Sequence, residues 1–168
     1  MRPARTIIAV ALIALAVLAG CTTAPRPATG PGTGPVTGAA SPDVPRPAGS
    51  SVVRFTAGSY TVDATIGAET PAVREFLGML PLTLTFEEFA GREKIGYLPR
   101  KLDTSATPGS DPQDGDLIYF VPWGNLGFYY NTDGIGHSDD VIHLGTYDAT
   151  AEQLQQLEHQ SVMVTRIR

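Results

Sequence analysis

Seven prolines and five glycines crowd residues 22–51, so 12 of these 30 positions break regular structure. That density exceeds the roughly 25 to 30% that marks a segment unable to pack a core. It divides the chain, and a folded domain must come from the 117 residues that follow. That length suits one domain. It contains no cysteine, so no disulfide can support it and it stands on its buried core alone.

The segment before the breaker-rich stretch reads as a targeting signal. Arg2 and Arg5 supply a positive start, and residues 6–19 form an apolar run as long as a signal h-region and short for a membrane span. The run ends in Leu18-Ala19-Gly20-Cys21, which resembles a bacterial lipobox, the motif cut by lipoprotein signal peptidase before a lipid-modified cysteine. The alternative is an ordinary secretory signal with an incidental cysteine. Cys21 is the sole cysteine of the chain and stands where a lipobox needs it. Two or three acyl chains, at roughly 0.8 kcal/mol for each buried CH2, would make the attachment effectively permanent. The expected organisation is a signal peptide over 1–20, a lipidated Cys21 with a disordered linker over 21–51, and a folded domain over 52–168. The domain would then be exported and held on the extracytoplasmic side of the cell membrane. A 30-residue linker of this composition reaches between about 30 Å as a coil and about 90 Å as a polyproline rod.

Charge narrows the partners. Without residues 1–20 the chain carries ten basic and 17 acidic side chains, and from Val52 onward eight and 16, a formal charge of −8. Such a surface repels phosphate backbones and anionic headgroups, which excludes nucleic acid as a partner and leaves the lipid as the membrane contact.

The folded part alternates as strands do. Val53 and Phe55 alternate with Arg54 and Thr56, and Tyr60, Val62, Ala64 and Ile66 with polar neighbours, giving two strands around a tight turn at Ala57-Gly58. Thr70 and Pro71 supply an N-cap and a first-turn proline, and Val73, Phe76, Leu77 and Leu80 fall at helical spacing before Pro81. Further strands are expected over 82–86, 95–102, 117–121, 126–130, 141–147 and 162–167, with a second helix over 151–158 and a polar loop over 103–114. Pro99 would confine its strand to an edge or a bulge. Seven or eight strands and two helices point to a closed β-barrel with helices covering its open ends.

Particular residues resemble a family. The Glu93-Lys94-Ile95-Gly96-Tyr97-Leu98-Pro99-Arg100-Lys101-Leu102 run, Gly115-Asp116 leading into a strand, Pro122-Trp123-Gly124-Asn125, and the strand Val141-Ile142-His143-Leu144-Gly145-Thr146-Tyr147 are similar to the compact bacterial branch of cyclophilin-like domains. The resemblance covers the whole folded part and implies a cyclophilin-like barrel. True cyclophilins are prolyl isomerases whose signature places an arginine after Phe-His, and this chain has no Phe-His-Arg. Their Gln-Gly-Gly-Asp is also missing, with Pro112-Gln113-Asp114-Gly115-Asp116 a partial echo. Arg100 is the one arginine near the right place, preceded by Pro99 instead of His, so no catalytic position carries over.

The candidate site is the aromatic stretch 120–131. Leu126 and Phe128 fill the core by alternation, whereas Trp123 sits in a turn between Pro122 and Gly124-Asn125. Either its ring folds back as a lid on the barrel end, or Tyr97, Arg100 and Trp123 line a ligand groove with Tyr119 and Asn125 at its edge. Other chemistry is thin. His137, Asp139, Asp140 and His143 match no zinc spacing, and Asp111, Asp114 and Asp116 miss a calcium loop. Glu87 and Glu88 point to opposite faces of a strand, and His143 reads as a packed strand histidine. His159 would complement a helix dipole. No cofactor, metal or nucleophile is implied. The reading is a membrane-tethered cyclophilin-like domain that binds a small molecule or an extended peptide without catalysis. The alternatives are an exported prolyl isomerase using Arg100 and an envelope interaction module docking through its aromatic turn.

Overall fold

A computed structural model describes residues 50–168, and the expected leader, Cys21 and nearly all of the expected linker lie outside the described residues. The elements follow in the order β1 (Val52–Ala57), β2 (Tyr60–Ile66), α1 (Pro71–Gly78), β3 (Leu82–Leu84), β4 (Glu87–Phe89), β5 (Glu93–Tyr97), β6 (Asp116–Phe120), β7 (Asn125–Tyr129), β8 (Val141–Tyr147), α2 (Ala151–Leu154) and β9 (Val162–Arg166). Between α2 and β9 a short 3-10 turn, Gln155–Leu157, replaces the end of the helix expected over 151–158. The hairpin between β1 and β2 turns through Gly58 and Ser59, one residue later than expected, with Gly58 at φ +57° where a side chain would be strained. Thr70 caps α1 by accepting the Val73 N–H at 3.2 Å.

The strands form one antiparallel sheet in the order β3-β9-β1-β2-β8-β6-β7-β5-β4. The sheet curls into an open half-barrel, which corrects the closed barrel expected from the sequence. The reason lies in residues 82–89. The strand expected over 82–86 stops at Leu84 as β3, which pairs β9, and after Thr85 and Phe86 an unexpected strand, β4, pairs β5 at the opposite edge. One extended run thus lends its halves to different neighbours. A strand cannot pair with its own continuation without reversing, so no ladder joins the edges.

Alternation sends one side chain set inward. Phe55, Leu117, Tyr119, Leu126, Phe128, Leu144 and Val164 pack there with Phe76 of α1 and with Leu154 and Leu157. At its centre the ring of Phe128 meets Phe55 at 4.8 Å, Phe86 at 5.4 Å and Tyr147 at 5.0 Å between centroids, mostly edge to face.

The seam between the sheet edges is held by side chains and by an isolated backbone bridge between Phe86 and Glu158. Phe86, wholly buried, lies against Gly96 of β5, where a Cβ would sit 2.7 Å from its ring. Its carbonyl accepts the His159 N–H at 2.9 Å, so His159 serves the seam. Buried Lys94, on the inner side of β5, bridges Glu88 of β4 and Glu158 beyond the 3-10 turn, the latter at 2.6 Å, and lies over the Tyr130 ring. Burial works against its charge, but the bonds to Glu158 and Glu88 hold the ammonium above its ordinary pKa. Removing it leaves two carboxylates facing each other. Lys94→Ala is expected to lower the unfolding free energy in urea titration by roughly 2 to 3 kcal/mol, below the 3 to 5 of a fully buried pair because Glu88 keeps partial solvent contact. Lys94→Met, which fills the same space, should lose less.

Candidate functional site

The convex side of the sheet, over β6, β7, β5 and β4, carries the unusual chemistry. The register places Phe120, Asn125 and Tyr97 in one row across β6, β7 and β5. A second row, four residues along, runs through Tyr129, Glu93 and Phe89. Trp123, in the turn between β6 and β7, packs edge-on against Phe120 at 5.4 Å and Phe89 at 5.1 Å between centroids. Its indole therefore arches over β7 and β5, linking the two rows. This differs from the lid on the barrel end considered from sequence: the ring folds onto the outer face of the sheet. It remains 46% exposed, and Tyr97 is 51% exposed.

Beneath these rings lie two buried polar side chains. Asn125 is 1% exposed; its Nδ2 donates to the Leu126 carbonyl at 3.1 Å, while its Oδ1 has no partner. Glu93 is 8% exposed, and its Oε2 is also without a partner. The carboxyl lies in the space left by Gly127, since a Cβ there would run into Glu93 Oε2. Burial, with the nearby charge of Glu88 adding to it, pushes the Glu93 carboxyl up to about 7, although a hydrogen bond from Tyr129 pulls the other way. The same burial raises the Tyr129 hydroxyl to about 12.

Of the five residues expected to line a groove, Tyr97, Trp123 and Asn125 share this face, and the other two do not. Strand β5 ends at Tyr97: the Leu98 N–H still meets the Gly124 carbonyl in register at 3.1 Å, but the Gly124 N–H turns back to the Phe120 carbonyl at 2.8 Å and Pro99 has no N–H to continue a ladder. Arg100 lies in the following turn, its guanidinium donating to Glu75 of α1 at 2.9 Å. Tyr119 is fully buried on the inner face, where alternation puts it beside Leu117, and its hydroxyl accepts the Leu102 N–H at 3.1 Å. Glu93 was not singled out from the sequence. Its signal is a carboxylate in step with Ile95 and Tyr97, but its burial depends on Gly127 two strand positions away on a neighbour.

Elsewhere, His143 is half-buried on the outer face with Nδ1 3.4 Å from Asp116 Oδ2. A cleft of about 300 Å³ opens at the rim between Asp114, Tyr130, Tyr147, Asp148 and Thr150, but Asp114 already accepts the Thr132 N–H and hydroxyl at 2.7 and 2.8 Å. Among the described residues no three histidine, cysteine or carboxylate side chains gather as a metal cage.

Glu93 leaves a mark on stability. Folded, the carboxyl binds its proton more tightly than in the unfolded chain, whose ordinary value is 4.5. Its contribution is therefore fully present below about pH 4.5 and is lost as pH rises towards about 7, by up to about 1.4 kcal/mol per unit. Tyr129 from β7 faces it, Phe89 and Ile118 supply hydrocarbon, and the charge of Glu88 reaches it from the inner side of the sheet. Urea titrations across that window should show a declining component in the native protein that Glu93→Gln removes. Identical pH profiles for the two proteins would contradict the buried-acid assignment.

Comparison with known proteins agrees with this architecture. The model of the cyclophilin-like family matches residues 55–166. The solution structure of a hypothetical protein from Archaeoglobus fulgidus is similar in fold, with a TM-score of 0.51 and 18% identity over 70% of this chain and 95% of that one. No curated protein matches the chain. From β1 to β9, this protein is a member of the cyclophilin-like family.

Proposed function

We propose that the domain is a ligand-binding module carried on a lipid tether, and that its site is the outer face beneath Trp123. One observation supports this reading most: half-exposed rings of Trp123 and Tyr97 stand over buried oxygens that no protein group satisfies. Buried acceptors without partners are uncommon and cost stability, so their retention favours a role outside the fold. Apolar walls with a few convergent polar atoms suit a small molecule or the edge of an extended peptide. A prolyl isomerase centred on Arg100 is disfavoured, because that guanidinium is engaged by Glu75. The tether rests on Cys21 and the lipobox-like Leu18-Ala19-Gly20 before it, which put the domain outside the cytoplasm on its linker.

Native mass spectrometry of the full-length protein, released gently from membranes, should show a small molecule or peptide that Trp123→Ala and Tyr97→Ala each weaken at least tenfold. Trp123→Ala should keep the fold, losing about 1 to 2 kcal/mol because the ring is only half buried. Binding untouched by both variants would move the site elsewhere. Labelling of cells with radioactive palmitate should mark the native protein and leave Cys21→Ala unlabelled; label on the variant would remove the tether from this reading.

A further inference from the structure

The two unpaired oxygens constrain what the site accepts. Glu93 Oε2 and Asn125 Oδ1 are both acceptors when Glu93 is ionised, so a complementary ligand must bring donors. The carboxyl lies over Gly127, and Asn125 is two residues along the same strand and face, about 7 Å away by strand rise. Among the described residues the nearby cations are engaged elsewhere, with Lys101, beside the Trp123 turn, donating to the Pro122 carbonyl at 3.2 Å. Arg92, next to Glu93, donates to the Asp133 carbonyl at 2.7 Å and the Asn131 carbonyl at 3.4 Å, and Lys94 faces the inner side with Glu88 and Glu158. The rings of Trp123, Phe89, Phe120 and Tyr97 present π faces or edges around the oxygens, and ring faces favour cations. The domain's acidic balance, eight basic against 16 acidic side chains from Val52 onward, draws cations and repels anions.

We infer that the outer face takes an organic cation, an ammonium or guanidinium group on an apolar body, with Glu93 as its counter-ion, Asn125 Oδ1 as a second acceptor and Trp123 as the ring that moves aside to admit it. This rests on the binding-module reading and names its ligand class. The indole lies in a turn whose Gly124 has φ +74°, and its contacts are with other rings, so displacing it breaks no hydrogen bond of the strands. Binding of a cation requires ionised Glu93, so at lower pH a proton is released on binding. The site therefore tightens as pH rises through the carboxyl's range.

Trp123 is the sole tryptophan of the chain and reports the site directly. The full-length protein in detergent is titrated with phenethylammonium, 2-phenylethanol and 3-phenylpropionate, which share a ring and differ in charge, while Trp123 emission is recorded. Phenethylammonium is expected to give a saturable change at least tenfold tighter than the other two, and to tighten about tenfold between pH 6 and pH 8. Glu93→Gln should abolish both the preference and the pH dependence. If that variant fails to fold, the pH dependence in the native protein and the loss of preference in Asn125→Leu decide the matter. Saturable binding of all three probes with equal strength would overturn the cation assignment and leave the binding module standing. Emission indifferent to all three probes would overturn the assignment, and with no retained molecule in the mass spectrum it would overturn the module as well.

Discussion

A sheet that curls without closing has two free edges, and here the fold depends on what occupies the gap between them. Phe86 sits at the junction of β3 and β4, fully buried against Gly96 and Phe128. Lys94 ties β5 to Glu88 and to Glu158, so the element leading into β9 is fastened to the strand at the opposite edge. A continuous ladder would have supplied a row of backbone bonds; the seam instead uses one ring, one ammonium and the single backbone bridge at Phe86. Edge strands of three residues also offer little template for pairing with another chain.

The division of labour between the two sides of β5 follows from that seam. Lys94 and Gly96 point inward, where they complete the core, and this leaves Glu93, Ile95 and Tyr97 on the convex side. A one-residue slip in register would exchange the sets, placing Glu93 among the phenylalanines and Lys94 under the indole. The packing of Phe86 on Gly96 forbids this, since any other residue at 96 would meet the ring. The position of the carboxyl on the outer face is thus a result of core packing.

Much of the architecture was legible because alternation in residues 52–66, 117–121 and 141–147 is a local signal. Thr70 and Pro71 announced α1 for the same reason. The break at Thr85 and Phe86 was invisible, because neither residue is a breaker and the two half-strands differ only in which distant neighbour they pair. Arg100 was misplaced by treating residues 95–102 as one strand, when the ladder stops after Leu98, where the Gly124 N–H turns back to Phe120 and Pro99 offers no N–H. Tyr119 and Asn125 show the limit from the other side. Both are polar residues on aromatic strands, and only strand parity separates a core hydroxyl from an acceptor under the indole. Glu93 needed knowledge of Gly127, which no reading along the chain supplies.

Strand β1, the first of the described strands, is interior to the sheet. It pairs with β2 on one side and β9 on the other, and Val52 also exchanges bonds with Ile167 and Arg168 at 2.9 and 3.2 Å. A pull applied at Ser51 along the strand axis would be shared by the two rows of bonds that flank β1.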